Sequence, residues 1–376
     1  MNIQRLNPAC LSKSIAAIGA DSTGQSIMNK KTQILAFEIR DLSYEAANIL
    51  KQEALSAGAE CATPKGCISH KGEHIVLLFG TKAQLEYMLP KLSMQPFGLK
   101  TLKAKLKSHL YTSMYENAIM AIVNITPDSF YEDSRQTSQS AIDRINMLLA
   151  KEVDIIDIGA ASSRPGSELI EPNEEIARLK EVVSYIRENH IYDKVRLSID
   201  TYNPKTADFA LSAGFSILND VSGLESEAMI QICAKHKAEV VLMHTKGTPK
   251  SMQSLTHTYT HLFDDMDSFF TQKIAALKQA GIEKTILDIG FGFAKDKAQN
   301  IALIKHLEHF CHFDLPLLVG ASRKNTIGEI IGKGAKDRLA GTLALHLYAL
   351  QNGANILRVH DESEHIDMLK IYKAMQ

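Results

Sequence analysis

The chain lacks an excess of either charge, a set of cysteines at a recognisable spacing and a long apolar run, and each lack closes off a class of function. Forty-two basic residues against forty-three acidic leave a net charge of −1. There is thus no electrostatic footprint for nucleic acid or an anionic membrane, although a small anionic ligand in a local cationic pocket stays open. The five cysteines, Cys10, Cys61, Cys67, Cys233 and Cys311, are odd in number and scattered, which suits free thiols in a reducing cytosol better than a disulfide framework. Cys61, Cys67 and His70 lie close together but at no common zinc spacing. In the first thirty residues the nearest apolar candidate, SIAAIGA, stops at Asp21, so neither a signal peptide nor a membrane span is expected and the protein is placed in the cytoplasm.

What is present is 376 residues, 45% of them hydrophobic, enough for one large core and something smaller. Up to about residue 110 the order is strand, helix, strand, helix: QILAFEIR alternates, SYEAANILKQEALSAGAE has helical spacing, and HIVLLFG precedes TKAQLEYMLPKL. Ser43 is a plausible helix cap and Gly58 a plausible stop. LKTLKAKLKSHL, with Lys100, Lys103, Lys105 and Lys107 among leucines, reads as a solvated helix joining two domains. This small α/β domain, 1–110, is expected to stabilise or regulate rather than to form a site.

Beyond it, apolar and mostly β-branched runs recur at 119–126, 153–159, 195–201, 216–222, 239–245, 285–291, 316–322 and 355–361, with helix-spaced stretches between them. Eight such units over roughly 250 residues have the size and order of a (β/α)8 TIM barrel; a doubly wound open sheet is the alternative. Barrel enzymes place their sites at the carboxyl ends of the strands. Near those ends stand Asn124, Asp157 with Ser163 and Arg164 beyond, Asp200, Asn219 with Asp220, His244, Asp288, Ser322 with Arg323 and Lys324, and Arg358 with His360.

These residues fall into two chemical halves. Asp200, Asn219, Asp288 and Lys324 offer the carboxylates, amide and ammonium that read a flat heterocycle with adjacent N–H donors and a carbonyl, such as a pterin or guanine edge. Asn124, Ser163, Arg164, Arg358 and His360 suit an anion such as diphosphate, with the Asn124 oxygen available to a magnesium ion. Arg358 and His360, two apart on a strand, share a face.

NITPDSF, SSRPGS after DIG, SIDT, NDVSG, LMHTKG running past Thr248 into PKSMQ, LDIGFGFAK, VGASRK and RVHD together resemble the motif series of the dihydropteroate synthase family. Order and spacing agree across residues 115–376, the expected barrel domain. The resemblance implies condensation of 6-hydroxymethyl-7,8-dihydropterin diphosphate with 4-aminobenzoate to 7,8-dihydropteroate and diphosphate, in folate synthesis. It assigns Asp200, Asn219, Asp288 and Lys324 to the pterin, Met243 and Phe293 to the walls of its ring, Asn124 to magnesium, and Ser163, Arg164, Arg358 and His360 to the diphosphate end. Pro127, Asp128 and Phe130 on one loop and Arg164 and Pro165 on another are expected to close over 4-aminobenzoate, with Lys324 and Asn325 at its carboxylate. Asn124, Asp128, Arg358 and His360 carry the catalysis in this reading. It also implies sulfonamide competition and a homodimer, with small-molecule substrates and no nucleic-acid or membrane partner.

Three positions depart from the family pattern. Ala161 stands where a carboxylate is usual, Ile289 where a Pro is common, and Asn325 where a Ser is common; Asn325 is expected to cap the following helix. His244 is expected to pack beneath the site, Asp157 and Asp220 to orient neighbours, and His306, His309 and His312 to form a solvated helix end. Two rival functions remain: a pterin-binding methyltransferase, for which TPDSF, SRPG, SRK and RVH would be superfluous, and a non-catalytic binder of the pterin diphosphate.

Overall fold

The computed structural model describes residues 3–125, 138–161, 170–247 and 251–375, and in it the chain divides into two units, Met1–Thr112 and Ser113–Met375. In the first, helices α1 (Leu11–Ala17) and α2 (Ser22–Asn29) precede strand β1 (Ile34–Ser43), α3 (Tyr44–Ser56), β2 (Glu60–Ala62), β3 (Glu73–Thr81), α4 (Lys82–Leu92) and α5 (Leu99–Leu110). The strands form an antiparallel sheet in the order β1-β3-β2. Val76 and Leu78 of β3 are buried with Leu50, Leu85 and Met88 of the helices, whereas Ile75 and Leu77, pointing the other way, are about half exposed. Ser43 does cap α3, its hydroxyl accepting from Ala46 N–H at 3.2 Å. In α5, Leu99, Leu106 and Leu110 are buried while Lys100, Lys105 and Lys107 are exposed, the pattern of a helix with one solvated face. The helices α1 and α2 and the short β2 had no counterpart in the sequence pattern.

The second unit is a closed barrel of parallel strands: β4 (Ala118–Asn124), β5 (Ile155–Gly159), β6 (Arg196–Asp200), β7 (Ile217–Asp220), β8 (Glu239–Met243), β9 (Thr285–Asp288), β10 (Leu317–Val319) and β11 (Ile356–Val359). Pairing of β11 with β4, Leu357 opposite Ile119, closes the sheet and excludes the open alternative. Helices α6 (Ser138–Ala150), α7 (Pro172–Glu188), α8 (Pro204–Leu211), α9 (Glu227–His236), α10 (Leu262–Gln279), α11 (Lys297–Lys305), α12 (Asn325–Ile331), α13 (Leu339–Gln351) and α14 (Glu362–Met375) connect and follow the strands. None of the described helices is long and apolar enough to cross a membrane.

Side-chain parity divides each strand between two cores. Ile119, Ile156, Leu218, Leu242, Leu287 and Leu357 face the helices. Met120, Ile155, Ile217, Val241, Ile286, Leu318 and Ile356 fill the barrel interior. Because strand side chains alternate with period two, the residues two places on from this interior plug also point inward: Ile122, Asp157, Asn219, Met243, Asp288, Gly320 and Arg358. Four polar residues, Asp157, Asn219, Asp288 and Arg358, therefore lie directly on the apolar plug, at the carboxyl ends of the strands.

Candidate active site

Three strands meet at one guanidinium. Arg358 of β11 donates from Nε to Asp157 Oδ2 of β5 at 2.6 Å and from Nη2 to Asp200 Oδ2 of β6 at 2.5 Å. Asn219 of β7 donates to the same Asp157 oxygen at 3.0 Å. Asp157 thus fixes both a cation and an amide, which is the orienting role expected of it. Gly159, beside Asp200, leaves room for this arrangement: a Cβ there would come within 3.3 Å of the Asp200 Cβ. Burial alone would weaken the Arg358 cation, but Asp157 and Asp200 outweigh it and hold the guanidinium charged. Burial pushes the Asp200 carboxyl up, Arg358 partly offsetting this and Asp157 adding to it.

Across the barrel mouth, Asp288 ends β9 and accepts Gly290 N–H at 2.7 Å. Burial raises its pKa, against the pull of Lys324. Lys324 is pushed down to about 8 by burial, Asp288 opposing. Its ammonium donates to Phe291 O at 2.5 Å and sits 4.5 Å from the centre of the Phe293 ring. Met243, Phe293, Met252 and Ala294 form a separate buried cluster, so the two residues expected to wall a ring do lie together. Sequence reasoning gave no role to Lys295. This buried lysine donates to the carbonyls of His244, Gly290 and Phe293 at 3.2, 3.2 and 3.0 Å and fixes the turn that presents Phe293. Burial draws its pKa down to about 7. Gly290 is obligatory in that turn: its φ is +62°, and a Cβ would lie 1.9 Å from His244 O.

The turn after β10 is tied to the end of β11. Ser322 Oγ accepts His360 N–H at 3.3 Å and lies 3.0 Å from His360 Nδ1, and Arg323 forms a two-pronged ion pair with Asp361. This brings Lys324, Arg358 and His360 to one rim, as predicted, with Asn124 half-buried at the end of β4. Asn325 does not cap the next helix: Lys324 holds the cap position, and Asn325, inside the first turn, accepts from Arg338 at 3.1 Å.

Parity removes two residues from the site. Asp220 follows inward Asn219 and turns outward, where its Oδ1 accepts Ser222 N–H at 2.8 Å; it shapes a turn. His244 follows inward Met243 and packs edge-on to Phe269, ring centres 5.0 Å apart, and burial lowers its pKa well below the usual value. His309 pairs with Asp267 of α10 at 3.0 Å. Pro127, Asp128, Phe130, Ser163, Arg164, Pro165 and Thr248 lie outside the described residues.

Fold and site define a parallel barrel with buried carboxylates, an amide and a lysine at the carboxyl ends of its strands, a donor and acceptor set suited to a flat hydrogen-bonding ring, beside an Arg–His corner suited to an anion. The family described as pterin binding enzyme matches residues 120–360. A bifunctional dihydropteroate synthase/dihydropteroate reductase of Helicobacter pylori is 50% identical, the match covering 100% of this chain and 99% of that protein. Dihydropteroate synthase of Escherichia coli is 37% identical over 68% of this chain and 90% of its own length. Among solved structures, Yersinia pestis dihydropteroate synthase with a sulfonamide complex is 35% identical at a TM-score of 0.65, covering 69% of this chain and 94% of that one. The Thermus thermophilus enzyme in complex with 4-aminobenzoate is 32% identical at a TM-score of 0.62, covering 70% of this chain and 96% of that one. The chain belongs to the pterin-binding enzyme family and, within it, to the dihydropteroate synthases.

Proposed function

We infer that this chain joins 6-hydroxymethyl-7,8-dihydropterin diphosphate to 4-aminobenzoate, forming 7,8-dihydropteroate and releasing diphosphate in folate biosynthesis. The observation that carries this reading beyond the family is the single cluster of Arg358, Asp157, Asp200 and Asn219, facing Asp288 and Lys324 across one barrel mouth. In our assignment Asp200, Asn219, Asp288 and Lys324 hold the pterin, Met243 and Phe293 flank its ring, and Arg358 and His360 take the diphosphate together with Ser163 and Arg164. We assign Pro127, Phe130, Pro165, Lys324 and Asn325 to the 4-aminobenzoate.

The exocyclic C–O bond breaks first in this scheme, its electron pair leaving with diphosphate. The methylene cation is delocalised into the ring, and the carboxylates of Asp200 and Asp288, when ionised, favour it. Arg358 and His360 neutralise the departing anion. The arylamine lone pair then forms the C–N bond and the nitrogen loses a proton, so no strong base is needed beforehand. Exclusion of water at this stage keeps the cation from being consumed before the arylamine attacks.

Magnesium fits the donor chemistry at this rim. Asn124 offers one hard amide oxygen beside the Arg–His corner, and magnesium keeps most of its ligands as water and substrate oxygens. When bound, it supplies further charge neutralisation to the diphosphate. The reading also includes a cytoplasmic homodimer and competition by sulfonamides.

The test is purified protein with pterin diphosphate, labelled 4-aminobenzoate and magnesium, following product and diphosphate together. Equal amounts of both are expected; tight diphosphate-dependent binding without product would leave only the binding-protein alternative.

A second activity is favoured by one observation: the full-length match is to a bifunctional protein, whereas the Escherichia coli synthase matches only 68% of the chain. We propose that the chain also reduces dihydropteroate, a reduced nicotinamide or flavin supplying hydride and solvent a proton. Dihydropteroate-dependent oxidation of one of these donors is the expected signal, and its absence with both would remove the reading.

A further inference from the structure

Behind the site, two buried imidazoles link the turn after β10 to the start of α14. Ala321 N–H points at His346 Nε2, 3.1 Å away. His346 Nδ1 lies 2.9 Å from His365 Nε2, and His365 Nδ1 lies 2.6 Å from Asp361 O. Both rings are fully buried. A backbone N–H only donates and a backbone carbonyl only accepts, so His346 Nε2 must be an acceptor and His365 Nδ1 a donor. One arrangement is then left for the middle contact: His346 Nδ1–H donates to His365 Nε2. Each ring carries one proton, on Nδ1, and every nitrogen is used.

What the relay joins gives it meaning. Ala321 opens the turn bearing Ser322, Arg323 and Lys324, and Asp361 follows His360. The same face of α13 supplies Thr342, one turn before His346, whose hydroxyl accepts Arg323 N–H at 3.1 Å. The lysine assigned to the pterin and the histidine assigned to diphosphate are thus held in register from behind. A further proton on either Nε2 would point at an existing donor, an N–H in one case and the partner ring in the other.

We propose that His346 and His365 are positioning residues forming an acid-sensitive relay, which holds the Ser322–Lys324 turn against Arg358 and His360 while both rings are neutral and releases it when either takes up a proton. The charged groups bearing on the pair support neutrality on balance. Burial lowers the His346 pKa well below the usual value, with His365 and Lys324 acting in the same direction. Burial also lowers His365, against Asp361, Glu362 and Glu364. Asp361 is itself paired with Arg323, and Glu362 with Arg144 and Lys151.

The kinetic half of the proposal rests on the synthase reading; the structural half does not. Nitrogen NMR of the histidine-labelled full chain reads the tautomers directly. Both rings are expected in the neutral Nδ1–H form at pH 7 and still mainly neutral at the usual imidazole midpoint of 6.5. An Nε2–H tautomer, or ordinary titration of either ring, overturns the relay whether or not turnover is seen. In steady-state kinetics, His346→Leu strands Ala321 N–H and should raise the KM for the pterin diphosphate about fivefold at pH 7, with a smaller change in kcat. His346→Gln keeps an acceptor without a titrating ring. It should restore KM at pH 7 and make the rise on acidification shallower than in wild type, leaving the part due to Asp288 and His365; a Gln variant with the full wild-type acid rise would overturn the switch, even if the Leu variant does not fold.

Discussion

At Asn219 and Asp220, two polar residues end the same strand, yet only Asn219 reaches Asp157, while Asp220 turns out to Ser222. Met243 and His244 divide in the same way. This was legible in principle: counting by twos from the apolar plug residues Ile217 and Val241 separates each pair. Lys295 was not legible, because what distinguishes it is burial beneath a turn, and its spacing from Asp288 carries no sign of that. Asp288 carries the clearest prediction at this scale. Asp288→Ala should weaken binding of the pterin diphosphate about fivefold to a hundredfold, the range for a lost buried hydrogen-bond partner. Since burial raises the Asp288 pKa, its ionised form is lost at a higher pH than in a free side chain. Wild-type affinity should therefore fall as pH is lowered, more steeply than that of the variant, as read by isothermal titration calorimetry; equal slopes would remove Asp288 from the contact.

Helix α14 shows how one element closes the barrel. Glu362, in its first turn, is buried and accepts from Arg144 of α6 at 3.0 Å and from Lys151 at 2.7 Å, clasping the last helix to the first helix of the barrel unit. Burial alone would raise its pKa, but the two cations bring it down to about 2. A carboxylate depressed on folding adds stability above its usual value of 4.5 and loses it as pH falls from there toward 2. Glu362→Gln should lower stability by about 2 kcal/mol at pH 7, the scale of a lost charge-assisted hydrogen bond, and the gap in Tm should narrow below pH 4.5. A gap independent of pH would show that packing, not charge, makes the clasp. Strands and helices of the barrel could be read from sequence because each carries a strong period. The strands ran shorter than their apolar runs, as at β9, where Gly290 turns the chain away after Asp288. The helices α1 and α2 are short, without buried residues, and so left little periodic signal.

For the whole molecule, the two units make a separable prediction. The barrel unit has its own core, and the Escherichia coli synthase matches only about two thirds of this chain. Removing residues 1–112 should therefore leave the synthase reaction within about threefold in kcat/KM, near 0.6 kcal/mol, while abolishing dihydropteroate reduction. Loss of both in a fragment whose circular dichroism is native would show that the first unit serves the synthase site. The sequence by itself determined the alternation of strand and helix, the presence of polar residues near the strand ends and the family to which the motifs belong, because these depend on local periodicity and order. Only the tertiary structure decided which of those residues touch. Arg358 meets Asp157 and Asp200 across separations of 201 and 158 positions, and His346 meets His365 behind them. Such contacts are set by closure of the barrel and by helix packing, for which distance along the chain is no measure.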